Sequence, residues 1–175
     1  MELDRGLVRA LDRIEPIRWH GDVLRHHAPR YVALDGEGAR AHGGRWNPPQ
    51  SFPVVYTALD RPTVDAEFGR LTRRAALQAA SFLPRRLSRI RLDLRRVLDL
   101  TDPGTRRRLG VTLATLRDDD WRPTQQIGQA AQFLGFEAVL APGAEGGTTL
   151  ALFSSSLHPE SRIERIGEED YEPSA

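Results

Sequence analysis

The sequence predicts a single compact α+β domain with a mixed β-sheet core and surrounding helices, and three observations point there. Helical periodicity and short β-rich runs alternate along the chain, with no internal repeat and no linker. The 175 residues suit one hydrophobic core of ordinary size. Hydrophobic residues make up 39% and charged residues 28%, a globular balance rather than a disordered one.

The elements follow in order. Over residues 3–14, Leu7, Leu11 and Ile14 recur at helical spacing and Pro16 closes the run, so a helix is expected. Residues 16–20 read as a short strand. Residues 21–53, rich in Gly, His, Pro and Arg, read as loop with room for one short strand or helical turn. Loops of that length in a compact domain are commonly functional. Residues 54–58, VVYTA, are a strand of strong β formers. Asp60 is an N-cap candidate with Pro62 in the first turn, which starts a helix over 63–78. Alternating apolar and polar residues predict two strands, 87–94 and 96–100. Asp102-Pro103-Gly104 opens a short helix bearing Arg106, Arg107 and Arg108, and a second short helix covers 111–118. A longer helix over 123–134 stops at Gly135. Strands over 136–141 and 148–153 flank a Gly-rich turn. An edge strand over 161–166 and a frayed acidic tail, 167–175, close the chain.

Composition excludes several chemistries. There is no cysteine, hence no disulfide framework, no thiol nucleophile and no Cys-based metal site. All 25 basic residues are Arg, which rules out a Lys Schiff base or a P-loop Lys. Anionic substrate groups must then be held by Arg, backbone N–H groups or helix ends. No apolar run approaches the roughly 18 residues of a membrane span, and residues 1–16 lack signal-peptide organisation. The expected setting is the cytoplasm, with no membrane partner. The Arg pairs at 73–74, 85–86 and 95–96 are nearly balanced by acidic residues, for a net charge of +1, and aromatics do not interleave with them. Direct nucleic-acid binding is therefore not expected. His20, His26, His27 and His42 match no metal-site spacing, so no metal is expected.

One constellation stands out. Arg45, Tyr56 and Glu67 fall eleven residues apart across a predicted loop, strand and helix. Glu67 borders the apolar stripe of Val64, Phe68 and Leu71, where a carboxylate must be paired, solvated by a cleft or shifted in pKa. Spacing alone favours the alternative of a surface Glu paired with Arg70 at i+3. Arg45 sits in Gly43-Gly44-Arg45-Trp46-Asn47, where glycines let backbone approach a ligand and Arg offers a planar fork for phosphate. Trp46 offers an aromatic face, or a packed core ring. Tyr56 is either a cleft residue or a core Tyr with a satisfied hydroxyl.

An early Ile-Arg, then GGRWN, VVYTA and DAEFGR in that order, resembles the RES domain of RES–Xre toxin–antitoxin systems. The late segments PTQQIGQAAQFLGFEAVLAP and GGTTLALF extend the resemblance, which is strongest over residues 14–155 of a single domain spanning 1–175. The resemblance implies an ADP-ribosyltransferase-like fold and a toxin that depletes NAD by cleaving its nicotinamide–ribose bond. NAD is then a substrate and no cofactor is needed. Glu67, Tyr56 and Arg45 match the catalytic positions. Arg18, Arg45, Trp46 and Tyr56 are candidates for substrate binding. Hydrolysis, phosphorolysis and transfer to a macromolecule all stay open, as does a noncatalytic NAD-binding module. The implied protein partner is an Xre-type antitoxin that blocks the active site, with nucleic acid reached only through it. The family's Ser slot reads Gly143 here. Either a backbone N–H or a neighbour such as Thr148 serves in its place, or activity is weakened.

Overall fold

Six strands form the centre of the computed structural model, which describes residues 3–173. They are β1 (Ile17–His27), β2 (Val55–Ala58), β3 (Arg85–Asp99), β4 (Ala138–Pro142), β5 (Thr148–Leu152) and β6 (Arg162–Tyr171). The sheet order is β1-β2-β5-β4-β3-β6, and β1 also pairs with β3, so the first five close a ring. Among the described residues, only β3 and β4 pair in parallel. Helices α1 (Arg5–Leu11), α2 (Glu37–His42), α3 (Arg61–Ala75), α4 (Pro103–Arg108), α5 (Leu113–Arg117) and α6 (Arg122–Phe133) surround it. This is the mixed α+β domain the sequence predicts.

Strand alternation divides the core. Val23, Val55, Ile90, Leu92, Val97, Leu140 and Leu150 fill one cluster of the sheet. Residues one step along, Leu98, Val139 and Ala151, join Trp46 and the α6 residues Ile127, Ala130 and Ala131 in a second. A third, under α3, joins Val64 and Phe68 to Leu24, Leu87 and Tyr171.

Three sequence expectations are corrected. The strands expected at 87–94 and 96–100 are one strand, β3. One edge of β3 pairs with β6 up to Asp93 and then with β4 from Val97. In the gap, the backbone N–H groups of Arg95 and Arg96 donate to Glu137 Oε2 at 2.7 and 2.8 Å. A fully buried carboxylate thus carries the strand through its change of neighbour. Second, β1 runs to His27 rather than ending near residue 20. Gly21, which argues for loop in the sequence, lies under the folded-back ring of Trp19: a Cβ there would sit 3.0 Å from Trp19 Cη2. Third, the acidic tail expected from residue 167 is strand as far as Tyr171, with residues 174–175 outside the described range. Its charges find cross-strand arginines, as in Asp170–Arg86 at 2.8 Å, and Tyr171 is buried.

The third cluster contains a pH-sensitive group. The His26 ring stacks on Tyr171 and meets Phe68 edge-on, both at 5.3 Å between centroids, while its Nδ1 accepts from Arg85 Nε at 2.7 Å. Desolvation, reinforced by Arg85 and Arg25, lowers its pKa from 6.5 to about 3. The unfolded chain therefore takes up this proton before the folded one does. Stability is fully present above pH 6.5 and is lost as pH falls towards about 3. The slope is about 1.4 kcal/mol per pH unit inside that window. Urea unfolding at about pH 7.5 and about pH 5.5 should show the loss in the wild type and a flatter response in His26→Phe. Equal slopes would remove His26 as the cause.

Candidate functional site

The site is built on the loop of residues 43–49. Gly44 and Asn47 form an isolated bridge, with the Gly44 N–H donating to the Asn47 carbonyl at 2.9 Å. Tyr56, on β2, points to the face opposite Val55 and reaches this loop. Its hydroxyl donates to Asn47 Oδ1 and accepts from the Trp46 N–H, both at 2.8 Å. Gly44 is required by that approach, since a Cβ would lie 2.7 Å from Tyr56 Cζ. From α6, Gln125 Nε2 donates to the Gly44 carbonyl at 2.9 Å. Burial pushes the Tyr56 pKa well up, so the phenol stays neutral and works through hydrogen bonds. Trp46 is corrected by the structure: its ring is 2% exposed in the second core cluster and presents no open face. Its backbone N–H is what meets Tyr56.

Arg45 turns the other way. Its Nη1 donates to the carbonyls of Leu116 at 2.7 Å and Asp118 at 3.0 Å, tying the loop to the end of α5. Its guanidinium carbon lies 5.7 Å from the Trp121 ring centroid, and that of Arg74 lies 3.9 Å from the same ring. Trp121, not Trp46, is the aromatic residue of this region. Among the described residues, its buried indole N–H has no hydrogen-bond partner, and an orphaned donor of this kind calls for an explanation. Burial and the nearby Arg70 lower the Arg45 pKa, and Glu67 opposes them. Arg45 and Glu67 thus lie within electrostatic reach of each other.

Glu67 is placed by α3. The Asp60 carboxylate caps the helix, accepting from the Thr63 N–H at 2.8 Å, and Pro62 occupies the first turn. Val64 and Phe68 face the core, leaving Glu67 half-buried at its edge. Its Oε1 accepts the Ala144 N–H at 3.2 Å. No ion pair joins it to Arg70; that guanidinium goes to Asp119 and Glu145 instead. The surface-pair alternative for Glu67 is thereby set aside.

Gly143, the position that the resemblance sets against the family's Ser, lies beside Glu67. Its own N–H is spent on the Gly147 carbonyl at 3.0 Å. A Cβ there would run into the Gly146 carbonyl while sitting 3.4 Å from Glu67 Oε1. The turn has no room for a side chain at 143 and offers the Ala144 N–H to Glu67 in its stead. Among the described residues, no hydrogen bond joins Thr148 to Glu67.

Arg45, Tyr56 and Glu67 are therefore brought into one region, whereas Arg18 is not brought there by any bond. It is exposed at the start of β1, and among the described residues no hydrogen bond or ion pair links it to the other three. The inward-turned arginine of that strand is Arg25, which donates to the carbonyls of Ala33 at 2.6 Å and Asp35 at 2.7 Å. The sequence does not mark Arg70, Arg74, Trp121 or Gln125 as site residues. The Asp-Asp-Asp-Trp run at 118–121 was the available signal, an aromatic directly after an acidic loop. Among the described residues, no helix is long and apolar enough to cross a membrane.

Comparison with known proteins adds a family. The RES domain model matches residues 16–173. The NAD(+) phosphorylase MbcT of Mycobacterium tuberculosis is 37% identical over 160 residues, covering 90% of this chain and 86% of that protein. The Mycobacterium bovis protein of the same name aligns equally well. A probable NAD(+) phosphorylase of M. tuberculosis is 48% identical over 75 residues, 42% of this chain and 35% of that protein. A crystal structure of the M. tuberculosis MbcT–MbcA toxin–antitoxin complex superimposes with a TM-score of 0.87 at 34% identity, covering 98% of this chain and 95% of the matched one. The chain belongs to the RES domain family.

Proposed function

We propose that this protein consumes NAD by cleaving the nicotinamide–ribose bond, with inorganic phosphate as the acceptor, and that it is the toxin of a toxin–antitoxin pair. The carrying observation is Glu67: a half-buried carboxylate held by a backbone N–H, free of any ion pair among the described residues, in the same region as Arg45 and Tyr56. The names of the MbcT relatives support phosphate as acceptor over water or a macromolecule.

The chemistry needs little more. Nicotinamide carries its positive charge on the ring nitrogen and leaves neutral, so no strong general acid is required. The ribose carbon becomes oxocarbenium-like, and a nearby carboxylate stabilises that charge more than it stabilises bound NAD. Arg45 contributes donors for an anionic part of the substrate. Trp121 supplies the aromatic surface that Trp46 does not. Tyr56 holds the 43–49 loop, and with it Arg45, in shape through its two hydrogen bonds. Arg18 has no structural support as a contact. A protein antitoxin is supported by the antitoxin in the MbcT complex; the Xre type follows from the family resemblance alone, and such a partner covers this site and carries any contact with nucleic acid. The working compartment is the cytoplasm, where NAD is abundant.

Purified protein mixed with NAD and phosphate should release nicotinamide, at a rate that climbs with phosphate; intact NAD after prolonged incubation would overturn the reading. Arg45→Lys keeps the charge but loses the planar fork and its place over Trp121. NAD binding should weaken by about ten-fold, roughly 1.4 kcal/mol. Equal affinities in calorimetry would strip Arg45 of its binding role.

A further inference from the structure

We infer that Arg70, flanked by Arg73 and Arg74, is the seat of the acceptor phosphate, and that Asp119 and Glu145 occupy that seat while no anion is bound. The inference rests on the reading that phosphate is the acceptor.

Arg70 lies three residues beyond Glu67 on α3, so both project from one side of the helix. Its side chain is only 13% exposed. It is nevertheless held by carboxylates from two separate loops: Asp119, between α5 and α6, and Glu145 of the β4–β5 turn, at 3.2 Å. Arg73 Nη2 reaches the same Glu145 oxygen at 2.9 Å, and Arg74 Nη1 reaches the Asp119 oxygen at 3.5 Å. Three guanidinium groups thus share two carboxylates, and Arg45 adds a further cation within electrostatic reach of Arg70.

The two acids differ from the arginine they hold. Asp119 is 75% exposed and Glu145 34%. Both can swing towards water, whereas the enclosed Arg70 cannot follow. An ion pair with so exposed a partner is screened by water and exchanges readily. A carboxylate presents two oxygens to an Arg fork much as phosphate does. The orphaned Trp121 N–H belongs to the ring beneath Arg74 and supplies one more unclaimed donor nearby.

The reaction also requires cations at this position. A phosphate dianion must approach a ribose carbon next to the Glu67 carboxylate, and two like charges at that range repel. Arg70 beside Glu67 neutralises the incoming anion where the repulsion is greatest. In the step itself a phosphate oxygen forms a bond to the ribose carbon. The carbon–nitrogen bond breaks, and its electron pair goes to the nicotinamide ring, which leaves neutral. The phosphate keeps its proton or releases it to solvent, so charge and atoms balance without another reactant.

Guanidinium groups at this place suit the NAD pyrophosphate as well as free phosphate, and steady-state kinetics separates the two. Arg70→Gln should raise the KM for phosphate by about ten-fold or more, as expected for losing one charge-assisted pair. The KM for NAD should stay close to wild type. Asp119→Asn combined with Glu145→Gln should lower the phosphate KM, because the competing carboxylates are gone, and this variant leaves Arg70 in place should Arg70→Gln fold poorly. A raised NAD KM with an unchanged phosphate KM would assign the arginines to the pyrophosphate and overturn the inference. So would an unchanged phosphate KM in both variants. Nicotinamide release by the wild type that ignores phosphate altogether would overturn the inference and the phosphorolysis reading together.

Discussion

Glu67→Gln is expected to slow nicotinamide release by about 10²-fold or more at saturating NAD and phosphate, with little change in NAD affinity. The amide keeps the size of the side chain and can still accept the Ala144 N–H through its oxygen. What it loses is the negative charge, and that charge matters most when the ribose carbon is positive. Folding should be nearly unaffected, because no ion pair is broken among the described residues and the core contacts of α3 come from Val64 and Phe68. Expression of the wild type should arrest growth and expression of the Gln variant should not. Single-turnover release, with circular dichroism as the check on folding, decides the matter. A well-folded variant with the wild-type rate would leave Glu67 as a helix-surface residue.

Gly128→Ala should destabilise the protein, although it places the best helix former in a helix. A Cβ at Gly128 would lie 2.7 Å from the Trp46 carbonyl carbon and 3.0 Å from its Cα. Those are backbone atoms, which cannot rotate aside as a flexible side chain can. Either α6 withdraws or the 43–49 loop is pushed out, and with it the Gln125 bond to Gly44. Overpacking of this kind costs on the order of 3 kcal/mol, against a gain in helix propensity of about 1 kcal/mol. The net loss of about 2 kcal/mol corresponds to a Tm lower by about 4–8 °C for a chain of this size. Thermal unfolding measures it directly; a Tm equal to or above the wild type would show that the loop and α6 are not packed this closely.

The legible parts of the fold are those set by neighbours in the chain. Asp60 with Pro62, and Asp102 with Pro103, start helices where capping chemistry says they should. Glu67 is recognisable because Val64 and Phe68 fix which side of α3 it borders. The illegible parts depend on segments far apart. The continuity of β3 requires Glu137 to satisfy two N–H groups from across a gap. The strand β6 looks like a tail until its acids are set against the arginines of β3. GGRWN does not say whether its Trp faces a ligand or the core. The answer is core, because α6 and the sheet close over it while Tyr56 claims its N–H. Arg70 looks like a partner for Glu67 at i+3, and only the fold brings Asp119 and Glu145 to it instead.

Phosphorus NMR of the purified protein with NAD and inorganic phosphate tests the central claim most directly. A new phosphomonoester signal should grow in step with free nicotinamide, while the NAD pyrophosphate signal shifts to that of an ADP-ribosyl product. Nicotinamide release without the phosphomonoester would contradict phosphate as the acceptor, and an unchanged NAD spectrum would contradict the account as a whole.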